Sequence, residues 1–261
     1  MRHLKLLGLF ARISVQDDVA YRMDFAAHMV LALVQVGAEL IGIWAIFSNT
    51  QSLAGWNAYE ILALLGVFRI MIGMITLFIA PNMRLIMSDV REGTLDFALL
   101  KPLNAQFYAS VRRIVAWRAA DILLGLGLLV AACRNLAISV PMGKVVFFVI
   151  MLGAGVTIIY SLWLVLATCA FWFTRLSNIE MVFWNLFEGG RYPVDIYRPW
   201  LRWGLTYLVP LAFLTTFPAG ALVGKTGPMN VTAAVLFATA ALLGASWFWR
   251  FGIRRYSGAS A

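Results

Sequence analysis

Three acidic residues in the longest polar segment of this sequence are its first candidates for chemistry. Asp89, Glu92 and Asp96 follow one another at short spacing. Carboxylates in such a group catalyse acid–base or metal-assisted reactions when histidines or a paired aspartate accompany them. The chain has only two histidines, His3 and His28, and neither is near this segment. We therefore predict no catalytic residues and no metal site, and an integral membrane enzyme that modifies lipids stays as an alternative.

Two charged residues inside apolar stretches are the next candidates. Glu39 lies 13 residues into the first apolar block, and Arg69 lies at matching distance from the corresponding end of the second. At 1.5 Å per helical residue both sit roughly 18–20 Å deep. Burying either charge alone costs at least about 2.5–3.5 kcal/mol, so we predict an ion pair. The pair is either a structural clamp or part of a substrate path or gate.

The elements that position these residues follow from composition. The chain has 261 residues, of which 62% are hydrophobic and 13% charged, whereas soluble domains carry about 25% charged residues. We predict a single-domain, all-α integral membrane protein over residues 1–261. Six apolar blocks are close to the length of about 20 residues that spans a bilayer: 26–47, 61–80, 114–133, 145–173, 203–223 and 231–249.

Prolines, glycines and cysteines refine this picture. Pro210 and Pro218 predict a bent fifth span whose outer part, near Pro218, is broken or re-entrant. Cys133 and Cys169 are expected near opposite membrane faces as small buried apolar residues, without a disulfide. Close helix packing is expected at Gly66, Gly73, Gly125, Gly127, Gly153 and Gly155.

Lysine and arginine counts predict the orientation. If both termini and the loops at 82–118 and 174–202 share one face, that face holds seventeen basic residues and the other face three. Basic residues concentrate in cytoplasmic loops, so we place these segments in the cytoplasm. This also explains the net charge of +9 without a nucleic acid partner. We expect residues 1–25 to form an amphipathic interfacial segment, and 176–202 to lie at the cytoplasmic interface.

The polar segment 82–113 has its own helix signals. Asp89 and Glu92 have the spacing of a capping box that would start a short helix. Gly93 permits a bend, and Pro102 ends the segment. Asn104 is placed to cap a helix running into the third span. A short stiff helix between two spans is a surface on which a soluble partner could dock.

Two runs of this sequence resemble those of a known protein family. The run from Arg91 to Pro102, REGTLDFALLKP, is similar to the coupling loop of type-2 ABC transporter permeases. The run FEGGRYPVDIY at 187–197 and the later prolines resemble a six-span bacterial subgroup that occurs with a second permease and a separate ATPase. The resemblance implies that this loop contacts the ATPase through residues Asp89, Arg91, Glu92, Gly93, Thr94, Leu95, Asp96, Lys101 and Pro102.

The same resemblance implies the rest of the function. The chain would be a non-enzymatic permease subunit of an exporter, in contact with membrane lipid in the bacterial inner membrane. It would pair with a second permease that is either a copy of this chain or a paralogue. ATP and magnesium would bind to cytosolic ATPase subunits, and this chain would hold no cofactor. Gly220 to Thr226 is only a near match to a phosphate-binding loop, because three residues separate its glycines where four are needed. An ion-coupled secondary transporter is a second alternative, although it predicts more midplane charges and repeated halves.

Overall fold

The computed structural model describes residues 22–101, 104–136, 141–173 and 177–256, with side chains described except at 22–26 and 177–179. The interfacial segment predicted over residues 1–25 falls almost entirely outside this part of the chain, as does Pro102. Within it the α-helices are α1 Arg22–Phe47, α2 Ala58–Met74, α3 Ala80–Glu92, α4 Leu95–Leu99, α5 Ala105–Val111, α6 Ala119–Asn135, α7 Met142–Cys169, α8 Ser177–Glu188, α9 Pro199–Tyr207, α10 Phe217–Val223 and α11 Pro228–Arg255.

The helices confirm the prediction of an all-α integral membrane protein. Among the described residues, five helices are long and apolar enough to cross a bilayer, and the bent pair of α9 and residues 212–223 is a sixth, broken span or a re-entrant loop. The second span is longer than predicted, because α2, a π-helical segment Ile75–Ile79 and α3 form one continuous helix from Ala58 to Glu92.

Both π-helical segments are followed by a proline. Pro81 has no N–H, so it cannot donate the helical hydrogen bond to the carbonyl of Leu77. The N–H of Val115 donates to that carbonyl instead, at 2.8 Å, which ties the start of the third span to the second. The second π-helical segment, Ala212–Thr216, likewise ends two residues before a proline, Pro218.

The tightest helix contact joins α2 to α6 through glycines. A Cβ built on Gly66 would lie 2.8 Å from the carbonyl oxygen of Gly125, and one built on Gly125 would lie 2.6 Å from that of Gly66. No larger residue fits at this crossing without a backbone shift. Of the six glycines predicted to pack closely, Gly127 and Gly153 instead face open space. The other four make close contacts: Gly66, Gly73, Gly125 and Gly155.

The two ends of the bundle are defined by their residues. We call the end that holds Asp89 and Arg112 the loop end, and the end that holds Trp56 and Lys225 the far end. At the far end, Lys225 pairs with Glu60 at 3.0 Å and lies 5.1 Å from the ring centre of Trp56. These contacts join the turn before α2 to the turn before α11.

The placement of residues 176–202 at the loop-end interface is wrong for most of the segment. Phe187, at the end of α8, is fully buried and stacks on Phe68 in the middle of α2, with ring centres 5.1 Å apart. Asp195 accepts a hydrogen bond from Trp56 Nε1 at 3.1 Å. Phe68 and Trp56 are 12 residues apart, roughly 18 Å along a helix. The chain therefore passes from the middle of the bundle to the far end between residues 187 and 195.

The bend in the following region lies at Pro210. Helix α9 and the helix of residues 212–223 differ in direction by 75°. Pro218, where the break was predicted, lies inside the helix that continues to Val223. The π-helical segment before Pro218 accommodates this proline without ending the helix.

Candidate functional site

The first candidate site is built on the charged pair inside the membrane. The structure brings Glu39 of α1 and Arg69 of α2 together. Arg69 Nη2 lies 2.7 Å from Glu39 Oε1, and Arg69 Nε donates to Glu39 Oε2 at 2.9 Å. Gln35, one turn earlier on α1, accepts from Arg69 Nη1 at 3.3 Å. Arg69 is only 1% exposed, so this pair is shielded from solvent.

Further charges extend this pair into a network across four α-helices and two short 3₁₀ turns. Asp121 of α6 lies 3.6 Å from Arg69, and Arg118 lies 3.5 Å from Asp121. On the other side, Arg191 lies 3.6 Å from Glu39. Arg191 also pairs with Glu188 at 2.5 Å. We call these six residues the charge network.

Arg118 and Asp121 are one helical turn apart, a spacing that predicts a local ion pair, whereas the sequence did not predict that Glu188 and Arg191 join the network. Both were expected at the membrane interface, because they stand among aromatic residues. The apolar pair Phe183 and Phe187, one turn apart and both buried, is the sequence signal that α8 enters the core.

The charge network is electrically balanced. Three arginines, Arg69, Arg118 and Arg191, face the three carboxylates of Glu39, Asp121 and Glu188. Buried charges are tolerated at membrane depth only when paired. Because three contacts of 3.5–3.6 Å accompany the shorter ones, each central residue has more than one possible partner. The arrangement can therefore exchange partners without leaving a charge alone.

A cavity of about 390 Å³ borders this network. It extends from Arg69 to Arg84, near the loop end, and lies between α2–α3, the start of α6 and α8. Arg84 Nε donates to Glu180 Oε1 of α8 at 2.8 Å. Trp184 Nε1 donates to the same oxygen at 3.2 Å. The cavity is thus bounded by charged residues at both ends.

The second candidate site is the segment predicted to be a coupling loop. The capping-box prediction is wrong, because Asp89 and Glu92 lie at the end of α3 and not at the start of a new helix. Gly93 ends α3 in the left-handed conformation, with φ of 70°, where glycine carries no Cβ penalty. The N–H of Thr94 then donates to the carbonyl of Asp89 at 2.9 Å. The second span therefore extends directly into this segment.

The short helix of the segment is α4, and it has two faces. Leu95 and Ala98 are buried against the bundle. Phe97 and Leu100 are 72% and 81% exposed. Among the other predicted residues, Asp96 is partly buried, while Arg91, Glu92, Thr94 and Lys101 are exposed. The exposed phenylalanine on this short helix and the exposed leucine directly after it are available to a protein partner.

The side chain of Asn82 joins the two ends of this segment, a role that the sequence did not predict. Its Nδ2 donates to the carbonyl of Arg113 at 2.7 Å and to that of Phe78 at 2.6 Å. Its Oδ1 accepts from the N–H of Arg113 at 2.9 Å. A second bridge joins Asp89 to Arg112 at 2.5 Å. One fully buried side chain thus holds both ends of the segment together.

The helix predicted to run into the third span is interrupted. Asn104 caps α5 as expected, accepting from the N–H of Phe107 at 3.1 Å. However, α5 ends at Val111, and a short 3₁₀ turn at Ala116–Arg118 precedes α6. The break coincides with the backbone that Asn82 binds.

The last helix also reaches this segment. Tyr256, directly after α11, lies with its ring centre 5.6 Å from that of Phe171. Burial raises the pKa of Tyr256, and the carboxylates of Asp96 and Asp89 raise it further. The end of α11 therefore lies within electrostatic range of α4.

Comparison with known proteins decides the family. The family model described as ABC-2 family transporter protein matches residues 33–260, which is most of the chain. This chain belongs to the ABC-2 transporter family. A search of curated proteins finds no match. As an ABC-2 family protein it is a multi-pass membrane protein of the transport class, and the family implies association with an ABC ATPase.

Proposed function

We propose that this chain is the permease subunit of an ATP-driven exporter in the bacterial inner membrane. It pairs with a second permease, and α4 docks on a cytosolic ATPase subunit that binds ATP and magnesium. Hydrolysis on that subunit moves α4, and α4 moves the spans. The ABC-2 family match supports this proposal over a secondary transporter or a lipid-modifying enzyme.

The observation that carries the proposal is the attachment of α4 to two spans. Gly93 joins it to the helix that begins at Ala58, and Asn82 fixes the returning chain just before α6. A force on the exposed Phe97 and Leu100 therefore acts on spans two and three together. A loosely attached loop would absorb the same displacement.

The basic residues support a cytoplasmic loop end. Among described side chains, the loop end holds nine: Arg84, Arg91, Lys101, Arg112, Arg113, Arg118, Arg250, Arg254 and Arg255. The far end holds five: Arg134, Lys144, Arg198, Arg202 and Lys225. The excess is smaller than the sequence predicted, because Arg198 and Arg202 follow Asp195 to the far end. Its direction is unchanged, and both termini then lie in the cytoplasm.

Export is supported by the short far-end connections. Only about ten residues separate α1 from α2, and α10 and α11 are separated by fewer. A delivery protein for import would need a folded domain as a platform on this side, and the largest described element there besides these connections is the nine-residue helix α9.

Docking is tested by making α4 polar. In Phe97→Asp, an acidic side chain replaces an apolar contact of the proposed interface. We expect co-purification of the ATPase to fall by about tenfold or more, as for a central apolar contact. Met229→Asp is the matched control, because Met229 is 85% exposed at the far end. Unchanged co-purification of Phe97→Asp would remove α4 from the interface.

The acidic residue of α4 is tested separately. Asp96→Lys reverses a charge beside Phe97, and we expect weaker assembly or weaker substrate-stimulated ATP hydrolysis. If both remain at the wild-type level, Asp96 does not belong to the docking surface.

A further inference from the structure

The cavity beside the charge network has the form of a groove along one helix face. Arg69, Ile72, Thr76, Ala80 and Arg84 line one side of it. From Arg69 to Arg84 the helix rises roughly 22 Å. The groove thus reaches from the depth of the buried pair to the loop end, where Arg84 is half-exposed.

A polar groove at membrane depth needs polar contents. Hydrocarbon against the half-exposed guanidinium of Arg84 or the half-exposed carboxylate of Glu188 would leave charged groups poorly solvated. The π-helical segment lies on this face and includes Thr76, and such segments occur frequently at functional sites. Water or the polar part of a ligand must therefore occupy the groove.

The charges that border the groove favour a ligand that carries both a positive and a negative charge. Arg84 is balanced by Glu180, Arg191 by Glu188, and the buried pair by each other. A ligand with a net charge would add an uncompensated charge to this balanced site. A ligand with one cationic and one anionic group can exchange with the existing pairs and keep the balance.

Two of these residues are accessible for such an exchange. The side chains of Arg84 and Glu188 are 53% and 48% exposed, and both line the groove. Arg84 pairs with Glu180, which lies two helical turns before Glu188, so the two positions are roughly 12 Å apart along α8. Their long side chains can reach the two charges of one headgroup.

Apolar side chains also line the groove, beside the polar Gln35, Arg118 and Asp121. They include Ile72, Pro81, Val115 and the indoles of Trp117 and Trp184. An apolar chain packs against such walls, whereas a small hydrated ion gains nothing from them.

We propose that this groove binds an amphiphile whose headgroup carries one anionic and one cationic group. Arg84 binds the anionic group, and Glu188 binds the cationic group. The binding step follows from the groove alone, while passage of the amphiphile across the membrane rests on the proposed export function. The groove then defines the class of molecule that enters from the loop end.

The test uses the full chain in nanodiscs of phosphatidylglycerol, which supply no zwitterionic lipid. Four single-chain probes of equal chain length are compared: lysophosphatidylcholine with both charges, lysophosphatidic acid, an alkyltrimethylammonium and an uncharged monoacylglycerol. We expect lysophosphatidylcholine to bind about tenfold more tightly than the others, as expected when a charged contact is lost. Glycerophosphocholine tests the headgroup alone and should bind more weakly, because it lacks the apolar chain.

Variants then locate the site. Arg84→Gln and Glu188→Gln should each reduce lysophosphatidylcholine binding and remove the preference for both charges. Arg134→Gln, an exposed arginine at the far end, is the control and should bind as wild type. Melting temperatures verify that the half-exposed substitutions leave the fold intact.

Two results would overturn the proposal. Equal binding of all four probes, unchanged in both variants, would indicate simple partition into the nanodisc. Preference for lysophosphatidic acid would indicate an anion site instead. If either result is obtained while the ATPase still co-purifies, only the proposal of a groove ligand is contradicted. If the chain associates with no ABC ATPase, the proposed function itself is contradicted.

Discussion

Replacing Asn82 should release the returning chain of the loop while leaving the spans in place. Asn82→Ala removes both hydrogen bonds to the backbone of Arg113 and the one to Phe78. Each bond contributes a net of about 0.5–1.5 kcal/mol, so the two that hold Arg113 contribute about 1–3 kcal/mol. Local opening around Arg113 should therefore become roughly 5- to 150-fold more frequent.

The frequency of this local opening is measured by hydrogen exchange with mass spectrometry on the full chain in nanodiscs. Peptides covering residues 104–115 should exchange faster in Asn82→Ala by that factor. Asn82→Asp keeps an acceptor for the N–H of Arg113 but places a carboxylate against two carbonyl oxygens, so it should be at least as disruptive. Asn135→Ala is the control, since the side chain of Asn135 donates to the carbonyl of Ala131 in its own helix.

The same variant separates docking from coupling. Because α4 keeps its exposed face, Asn82→Ala should still bind the ATPase, while transport per ATP hydrolysed falls. Wild-type exchange over residues 104–115 in both Asn82 variants would refute the reasoning, because Asn82 would then not hold the segment closed.

Three further predictions address packing, charge and titration. Gly125→Ala should lower the melting temperature, with an overpacking cost of about 1–3 kcal/mol, whereas Gly127→Ala, which faces open space, should leave it unchanged or slightly higher. In a double-mutant cycle of Glu39→Gln and Arg69→Ala, we expect a coupling of about 0.5–3 kcal/mol, and additive losses would show that the contact contributes nothing. Because the pKa of Tyr256 is raised above its ordinary value of 10.0, its contribution to stability is complete below that pH and is lost as pH rises through the higher folded value. Above pH 9, the melting temperature of Tyr256→Phe should therefore fall less steeply with pH than that of the wild type. The same pH dependence in both proteins would contradict this prediction.

The apolar spans were predictable because bilayer thickness sets their length. The contact of Glu39 with Arg69 was predictable for a related reason, since residues in adjacent spans at equal depth can meet. Helix geometry alone supplies that depth. Ion pairs between residues outside two neighbouring spans were not predictable in this way. The contact between Arg191 and Glu39 is an example. It depends on α8 entering the bundle, which no local spacing specifies.

Local signals were ambiguous where one pattern fits both ends of a helix. Asp89 and Glu92 have capping-box spacing, yet they end α3, because the helix continues through Asn82 and past Pro81. Gly93 was the better signal, since glycine commonly follows the last residue of a helix. The role of Asn82 could not be predicted, because its partners on Arg113 are 31 residues away and are backbone atoms.

The ion pair between α1 and α2 has a consequence for biosynthesis. As α1 enters the bilayer, Glu39 has no arginine beside it, and an unpaired charge at the centre of a span makes insertion less favourable. Arg69 follows 30 residues later, after a connection of about ten residues between the helices. The two spans then enter most favourably as a hairpin in which each neutralises the other. Nascent chains that stop before Arg69 should therefore retain α1 in the membrane less well than chains that extend beyond it.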